Sequence, residues 1–314
     1  MTETHISDFM SIQKTRYGKC LEPKMECGND AIRAHSVQNA TALKLIEESN
    51  HVYEIGMKVV AGKPEPSLDL IGRKKASTFL GLCANHDASI FKAIDTKPLS
   101  PDDIEQLFLV AYRSVTRELH TVLEGAMRVQ LGYQMLVSKG KVSADKPSAP
   151  GMEAMQHMMK AWSVWKYRYK FFDPIFESKK YSQIKHSVFK FEGEQPCLAA
   201  SSFFSVDLKP WGKPFAALIL NIIPSGPTET TVIFSYAGAH SGRARKYTAP
   251  VMTQKGEGRK YELSYMLINR AENFFLSPRI VDAWSGKKKE TVVNACIQSV
   301  FGSQPKRVSD LMLF

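Results

Sequence analysis

The stretch 81-GLCANHDASIF-91 places Cys83 and His86 three positions apart, behind a glycine and ahead of an apolar run. Either this pair is half of a metal site, or it is a buried thiol followed by a surface histidine at a helix start. Zinc takes about four soft or borderline ligands in a tetrahedron, commonly as two closely spaced pairs. Cys20 and Cys27 offer the other pair, at wider than usual spacing. These three cysteines stand together in the front third of the chain, whereas Cys197 and Cys296 fall in an apparent strand and an apparent helix. The spacing therefore predicts a structural zinc ion on Cys20, Cys27, Cys83 and His86, with His35 or His51 as alternatives to Cys20 for the fourth ligand.

The bulk composition frames that site. A chain of 314 residues can hold two or three cores. Its 44% hydrophobic and 23% charged content is globular rather than disordered. The longest apolar run, FAALILNII at 215–223, is far shorter than the roughly 20 residues of a spanning helix, and MTETHISDFM, without a basic stretch leading into an apolar one, is not expected to act as a secretory leader. A cytoplasmic protein without membrane contact is expected. Five cysteines are an odd number for a disulfide framework, which leaves thiols free for metal. The net charge of +11 suggests a polyanionic partner. Residues 1–95 carry twelve basic and twelve acidic side chains, so all of that excess lies behind the candidate metal site.

The pattern along the chain is α+β. Residues 1–97 mix short elements: GNDAIRAHSV reads as a turn into a strand, ATALKLIEES as a short helix, GKPEPS as a loop and LDLIG as a strand. Ser100-Pro101-Asp102-Asp103 opens a helix with Ser100 as its cap. Apolar residues from Ile104 to Leu136 then recur in steps of three and four, up to SKGK. After the linker VSADKPSAP, Met155, Trp162, Tyr169 and Phe176 lie seven apart, which predicts a second helix whose aromatics face the first along a shared seam. From about 186 the period shortens, and HSVFKFE, CLAASSFFSVDL, FAALILNII and TETTVIFSY read as strands of a small antiparallel sheet closed by C-terminal helices. Three consecutive domains follow: a zinc-binding module at 1–97, a helical hairpin at 98–185 and an α+β domain at 186–314. The hairpin is also a candidate homo-oligomer contact.

Two cysteines, then a histidine on a short strand, then a long gap and an LC-x-x-ligand turn opening a helix resemble the order of HNH-type nucleases of the treble-clef kind. The resemblance covers about residues 20–95. It implies a zinc-stapled treble-clef-like module with His35 of IRAHSVQ as general base and Asp87 as an oxygen ligand for a catalytic magnesium or manganese ion. The family commonly has Asp or His just before that base, and this chain has Ala34.

Basic residues behind the module are the candidates for nucleic-acid contact. Lys166, Arg168 and Lys170 interleave with Trp165, Tyr167 and Tyr169 in KAWSVWKYRYKFF, a pattern that can hold phosphates and stack bases, although the heptad spacing assigns the aromatics to the core. Arg243, Arg245 and Lys246 in SGRARKY, and Arg259 and Lys260 in KGEGRK, read as Gly-punctuated basic loops. The chain has neither a P-loop nor a G-x-G-x-x-G turn. Three functions follow as expectations: an HNH-like nuclease acting on DNA or RNA in defence against foreign nucleic acid, a non-catalytic zinc module that binds nucleic acid, and an interaction or sensor protein.

Overall fold

The computed structural model describes residues 11–60, 63–206, 215–300 and 302–314. The quoted chain start and the last two residues of the expected strand at 197–208 lie outside the described residues. In chain order the elements are β1 (Arg33–His35), a π-turn at Asn39–Leu43 running into α1 (Lys44–Ile46), β2 (His51–Val60), β3 (Lys63–Gly72), β4 (Thr78–Leu80), α2 (Ala84–Ile90) and α3 (Lys92–Asp95). The long helix α4 (Ile104–Ser138) follows, then α5 (Ala149–Phe171) and α6 (Asp173–Ser178). The rest comprises β5 (Ile184–Glu192), β6 (Leu198–Ser205), β7 (Ala217–Gly226), β8 (Glu229–Ala237), α7 (Ser241–Thr253), α8 (Gly256–Arg270), β9 (Phe274–Leu276), α9 (Pro278–Asp282) and α10 (Gly286–Val300). None of the described helices is long and apolar enough to cross a membrane.

These elements form two compact units that cut across the sequence boundaries at 97 and 185. The first comprises Met1–Ala34, Phe79–Ile90 and Val115–Lys179, and the second comprises His35–Thr78, Phe91–Ser114 and Lys180–Phe314. Cys20, Cys27 and Cys83 thus fall in the first unit, whereas β2 and β3, which lie between Cys27 and Cys83 in sequence, fall in the second.

In the first unit α4 and α5 run antiparallel and close together. A Cβ added at Gly151 would lie 3.3 Å from the Tyr133 ring, and one at Gly125 would lie 3.9 Å from His157 Nδ1. That spacing decides which face of α5 turns inward. Small and medium residues, Ala154, Ala161 and Val164, are buried together with Tyr167 and Arg168. The expected heptad seam is instead the outer face: Met155, Trp162 and Tyr169 are all more than half exposed. Phe176 belongs to the separate helix α6.

The second unit is built on a seven-stranded antiparallel sheet in the order β3-β2-β9-β6-β7-β8-β5. It is larger than the small sheet expected because the β2–β3 hairpin joins it, Tyr53 of β2 pairing with Leu276 of β9. GKPEPS is mostly strand rather than loop, and its prolines are tolerated because β3 is the edge of the sheet. One face packs Leu218, Leu220 and Ile222 of β7 against Leu263 and Leu267 of α8 and Val292 of α10. On the other, Val37, Leu43 and Ile46 gather with Ala199 and Phe275. Asp103, not Ser100, caps α4: its Oδ1 accepts from Glu105 N at 3.0 Å and Gln106 N at 3.1 Å. The Gln106 side chain completes the cap in return, accepting from Ser100 N at 2.7 Å.

His186, on edge strand β5, is held near Ser235 Oγ at 2.8 Å, and burial pushes its pKa down to about 4. The imidazole is therefore neutral in the fold and takes up a proton more readily when unfolded. Its contribution to stability is complete above the ordinary histidine pKa of about 6.5, declines as pH falls below it and is gone below about 4. Replacing His186 with Gln should remove up to about 3 kcal/mol of this pH dependence between those limits, measured by urea denaturation across the range.

Candidate metal centre

Two short segments of the first unit come together to make the centre. Leu21 N donates to Gly81 O at 2.8 Å and Ile32 N to Leu82 O at 2.8 Å, so the Cys20 segment and the turn before Cys83 share backbone hydrogen bonds. Gly81 is needed where it stands, because an added Cβ would lie 2.2 Å from the Phe79 ring. Behind the turn α2 begins at Ala84, which brings His86 back beside Cys83 one helical turn on.

The wide spacing between Cys20 and Cys27 is organised by Glu22. Its buried carboxylate accepts from three backbone N–H groups, Lys24 at 2.9 Å, Glu26 at 2.5 Å and Cys27 at 3.3 Å. Burial alone would raise the pKa of Glu22, but these donors hold it below the ordinary carboxylate value. The loop closes on itself, with Met25 N donating to Glu22 O and Met25 in the left-handed region at φ 55°.

The loop is clamped from outside by Arg168. This side chain is only 1% exposed; it donates to Leu21 O at 2.8 Å and Glu22 O at 3.1 Å and pairs with Asp173 at 3.1 Å. Helix α4 holds the approach to Cys20 in the same way. Glu124 accepts from Tyr17 N at 3.1 Å, while His120 Nε2 lies 3.0 Å from Tyr17 O and Arg128 Nε donates to Thr15 O at 3.0 Å.

Cys20, Cys27, Cys83 and His86 thereby present four ligand atoms that all lie within 4.8 Å of one another. His86 Nδ1 is 3.4 Å from both Cys20 Sγ and Cys83 Sγ, and Cys27 Sγ is 3.9 Å from Cys83 Sγ. Tetrahedral zinc bonds of ordinary length set sulfur–sulfur edges at about 3.8 Å and sulfur–nitrogen edges at about 3.5 Å. The donor set and its edges fit that ion. Hydrogen bonding from the His86 backbone N–H lowers the Cys83 pKa to about 7, whereas burial pushes Cys20 up to about 11, although Cys83 N donates to its sulfur at 3.2 Å. All five cysteines are free thiols; burial raises Cys197 to about 11 and Cys296 to about 12.

The other expected site residues are placed differently. No further group of three or more Cys, His, Asp or Glu ligands comes together among the described residues. Neither His35 nor His51 joins the cluster, and Cys20 takes the fourth position. His51 Nδ1 lies 2.7 Å from Ser49 O in the second unit. His35, at the end of β1 and also in the second unit, bonds to backbone of Lys74 and Arg73; burial leads the causes that lower its pKa, and its buried Nε2 has no hydrogen-bond partner. A nitrogen so enclosed does not reach solvent water in this conformation. Asp87 is half-buried on the first turn of α2.

Two of the cations expected to meet phosphate are buried in ion pairs. Arg168 is committed to the clamp just described. Lys260 is held by Glu194 at 2.7 Å and Glu257 at 2.8 Å. Arg259 stacks over Phe189 at 4.7 Å and donates to Gln254 O at 2.7 Å, at the end of α7. SGRARKY and KGEGRK are the starts of helices α7 and α8 rather than loops, the glycines falling in or beside their first turns. Arg243 is half-buried, and Arg245, Lys246, Lys166 and Lys170 remain exposed. Sequence reasoning missed the Glu22 loop anchor and the Arg168 clamp, because their partners are backbone groups that leave no signature in composition.

Comparison with protein-family models, with curated proteins and with solved structures finds no match. Two outcomes follow from the centre. The purified chain should contain one equivalent of zinc by elemental analysis, and Cys27→Ser should lose it together with a large part of the thermal stability. Arg168→Met, which leaves Asp173 and two carbonyls buried without their partner, should cost about 3–5 kcal/mol in urea denaturation.

Proposed function

We propose that the chain binds single-stranded nucleic acid along the outer face of α5, with the zinc centre acting as the staple that rigidifies the unit bearing this helix. The observation that carries the reading is an aromatic ladder whose two end rings are exposed and whose middle ring, Trp165, is half-buried. Trp162 and Trp165 stack with ring centroids 4.8 Å apart, and Trp165 and Tyr169 stack at 5.1 Å with only 11° between their planes. Trp162 and Tyr169 are 58% and 59% exposed, a condition the hydrophobic effect does not favour for side chains of this size without a partner.

Steps of three and four residues put these rings on one side of the helix. Lys166 and Lys170 follow Trp162 and Lys166 by four residues each, so two exposed ammonium groups flank the ladder. Flat π-faces beside flexible cations suit a strand whose bases are unpaired: stacking is tolerant of sequence, and the ammonium groups answer the phosphates. A duplex hides its base faces and would gain only the charge term. The zinc centre supports the reading indirectly, because Arg168 on the inner side of the same helix grips the loop between Cys20 and Cys27.

Quenching of tryptophan fluorescence by an unlabelled oligonucleotide, titrated at several salt concentrations, tests the proposal. Trp162→Ala should weaken binding by about 1–3 kcal/mol. Replacing Lys166 and Lys170 together by Ala should reduce the salt slope by about 1.4, at about 0.7 per phosphate contact. Equal affinity for duplex and single strand, or wild-type binding by Trp162→Ala, would reject it. Adding magnesium or manganese to the same mixture examines the nuclease expectation: cleavage abolished by His35→Ala with zinc retained would make the chain an HNH-like enzyme. Loss of a dimer in Trp162→Ala, without any oligonucleotide binding by the wild type, would assign the face to a second copy instead.

A further inference from the structure

The second unit contains a cavity, whereas the metal centre and the aromatic ladder belong to the first. Its volume is about 30 Å³, enough for one or two small polar groups but not for a whole large ligand. Most of its wall is apolar, from residues such as Val37, Leu99, Val110 and Ile223, with the polar Ser36 and Gln38 beside them; two strong hydrogen-bonding side chains, Arg113 and Asn221, also line it. Both are deeply buried, at 4% and 2% exposure. Both also have a donor without a partner, Arg113 Nε and Asn221 Nδ2.

The other side-chain nitrogens of Arg113 and the side-chain oxygen of Asn221 each have a partner. The Arg113 Nη atoms donate to Asp95, Nη1 to Oδ1 at 2.9 Å and Nη2 to Oδ2 at 2.6 Å, and the guanidinium lies 4.1 Å over the Phe91 ring. Asn221 Oδ1 accepts from Ser114 Oγ at 2.9 Å, and Ser114 Oγ is 2.9 Å from Ser201 Oγ. Neither side chain can swing away without breaking a buried bond. A donor left unsatisfied in such a place costs about 1–3 kcal/mol, and leucine in place of Asn221 would avoid that cost. The site therefore has two fixed donors in a mostly apolar wall, on the scale of a single polar group rather than of a whole small-molecule pocket.

From this arrangement we infer that the cavity is a binding subsite for the carbonyl oxygen of a small uncharged molecule, such as a carboxamide or the carbonyl edge of a heterocycle. An sp² oxygen has two lone pairs and can accept from both donors at once. Charge selects a neutral acceptor over a carboxylate. The positive charge of Arg113 is already met by Asp95, so an added anion would be buried with no countercharge of its own. The inference is independent of the aromatic ladder and stands or falls separately from it.

The test uses the full-length, nitrogen-15-labelled protein, with acetamide and acetate as probes of equal size. Acetamide should shift the Arg113 Nε–H and Asn221 side-chain amide resonances in a saturable way, and acetate should leave them in place. Asn221→Asp keeps the shape but removes the donor, and should abolish the acetamide response at Arg113; Arg113→Lys should do the same at Asn221. Thermal melts of both variants establish that they are folded before titration. If neither probe moves these resonances, the cavity holds water only and the inference fails. A response to acetate with none to acetamide would also overturn it, by showing an anion site. An unchanged acetamide response in folded Asn221→Asp would place the binding elsewhere and sink it equally.

Discussion

The first unit depends on bringing two thiol-bearing segments, far apart in sequence, close enough for their ligand atoms to share one metal ion. Cys27 and Cys83 have their sulfurs 3.9 Å apart, although 56 positions separate them. Closing so long a loop is entropically costly, and the segment around Cys20 and Cys27 is short of apolar side chains with which to offset that cost. Buried apolar residues on this stretch, Leu21 foremost, are few. A metal ion held by the four ligand atoms would supply the missing enthalpy at one point. The polar scaffold around it makes that point rigid. Glu22 folds the loop from within, Arg168 holds its carbonyls from without, and Glu124 fixes the entry through Tyr17 N.

This scaffold explains why α5 faces the way it does. The buried guanidinium of Arg168 cannot leave the loop carbonyls without exposing Asp173 and two acceptors to an apolar surrounding, a penalty larger than any single aromatic ring gains by burial. With Arg168 inward, Tyr167 and Val164 are carried in beside it. Trp162 and Tyr169 then lie outward, as the helical period requires. Exposure of the ladder is thus a consequence of the clamp. One buried cation links the order of the metal loop to the surface proposed for nucleic acid.

Much of this was legible in the sequence, and the failures have physical causes. The Cys83–His86 turn, the pairing of Cys20 with Cys27, the length of α4 and the run of strands after 184 all follow from local spacing and periodicity. The helical register of α5 did not, because heptad spacing of large apolar residues marks a seam only where a partner helix leaves room. Here glycines and alanines bring α4 and α5 too close for tryptophan. The β2–β3 hairpin was missed as part of the sheet for a different reason: its link to β9 joins residues 53 and 276, and no local pattern encodes a pairing at that range. Lys260 looked free in sequence since Glu194, one of its partners, is 66 positions away.

The same reasoning separates what the two units can contribute. In the first unit the buried charges of Glu22 and Arg168 are answered by partners that hold the metal loop. The second unit is different. The sheet places Asn221 opposite Ser201, with its amide nitrogen unanswered, in the same cavity wall as an arginine whose Nε is equally unanswered. Native cores rarely keep two such donors in a single cavity when an apolar side chain of the same size would remove the cost. A polar group retained at that expense implies a partner that repays it, and the carbonyl oxygen inferred above is one that can accept from both.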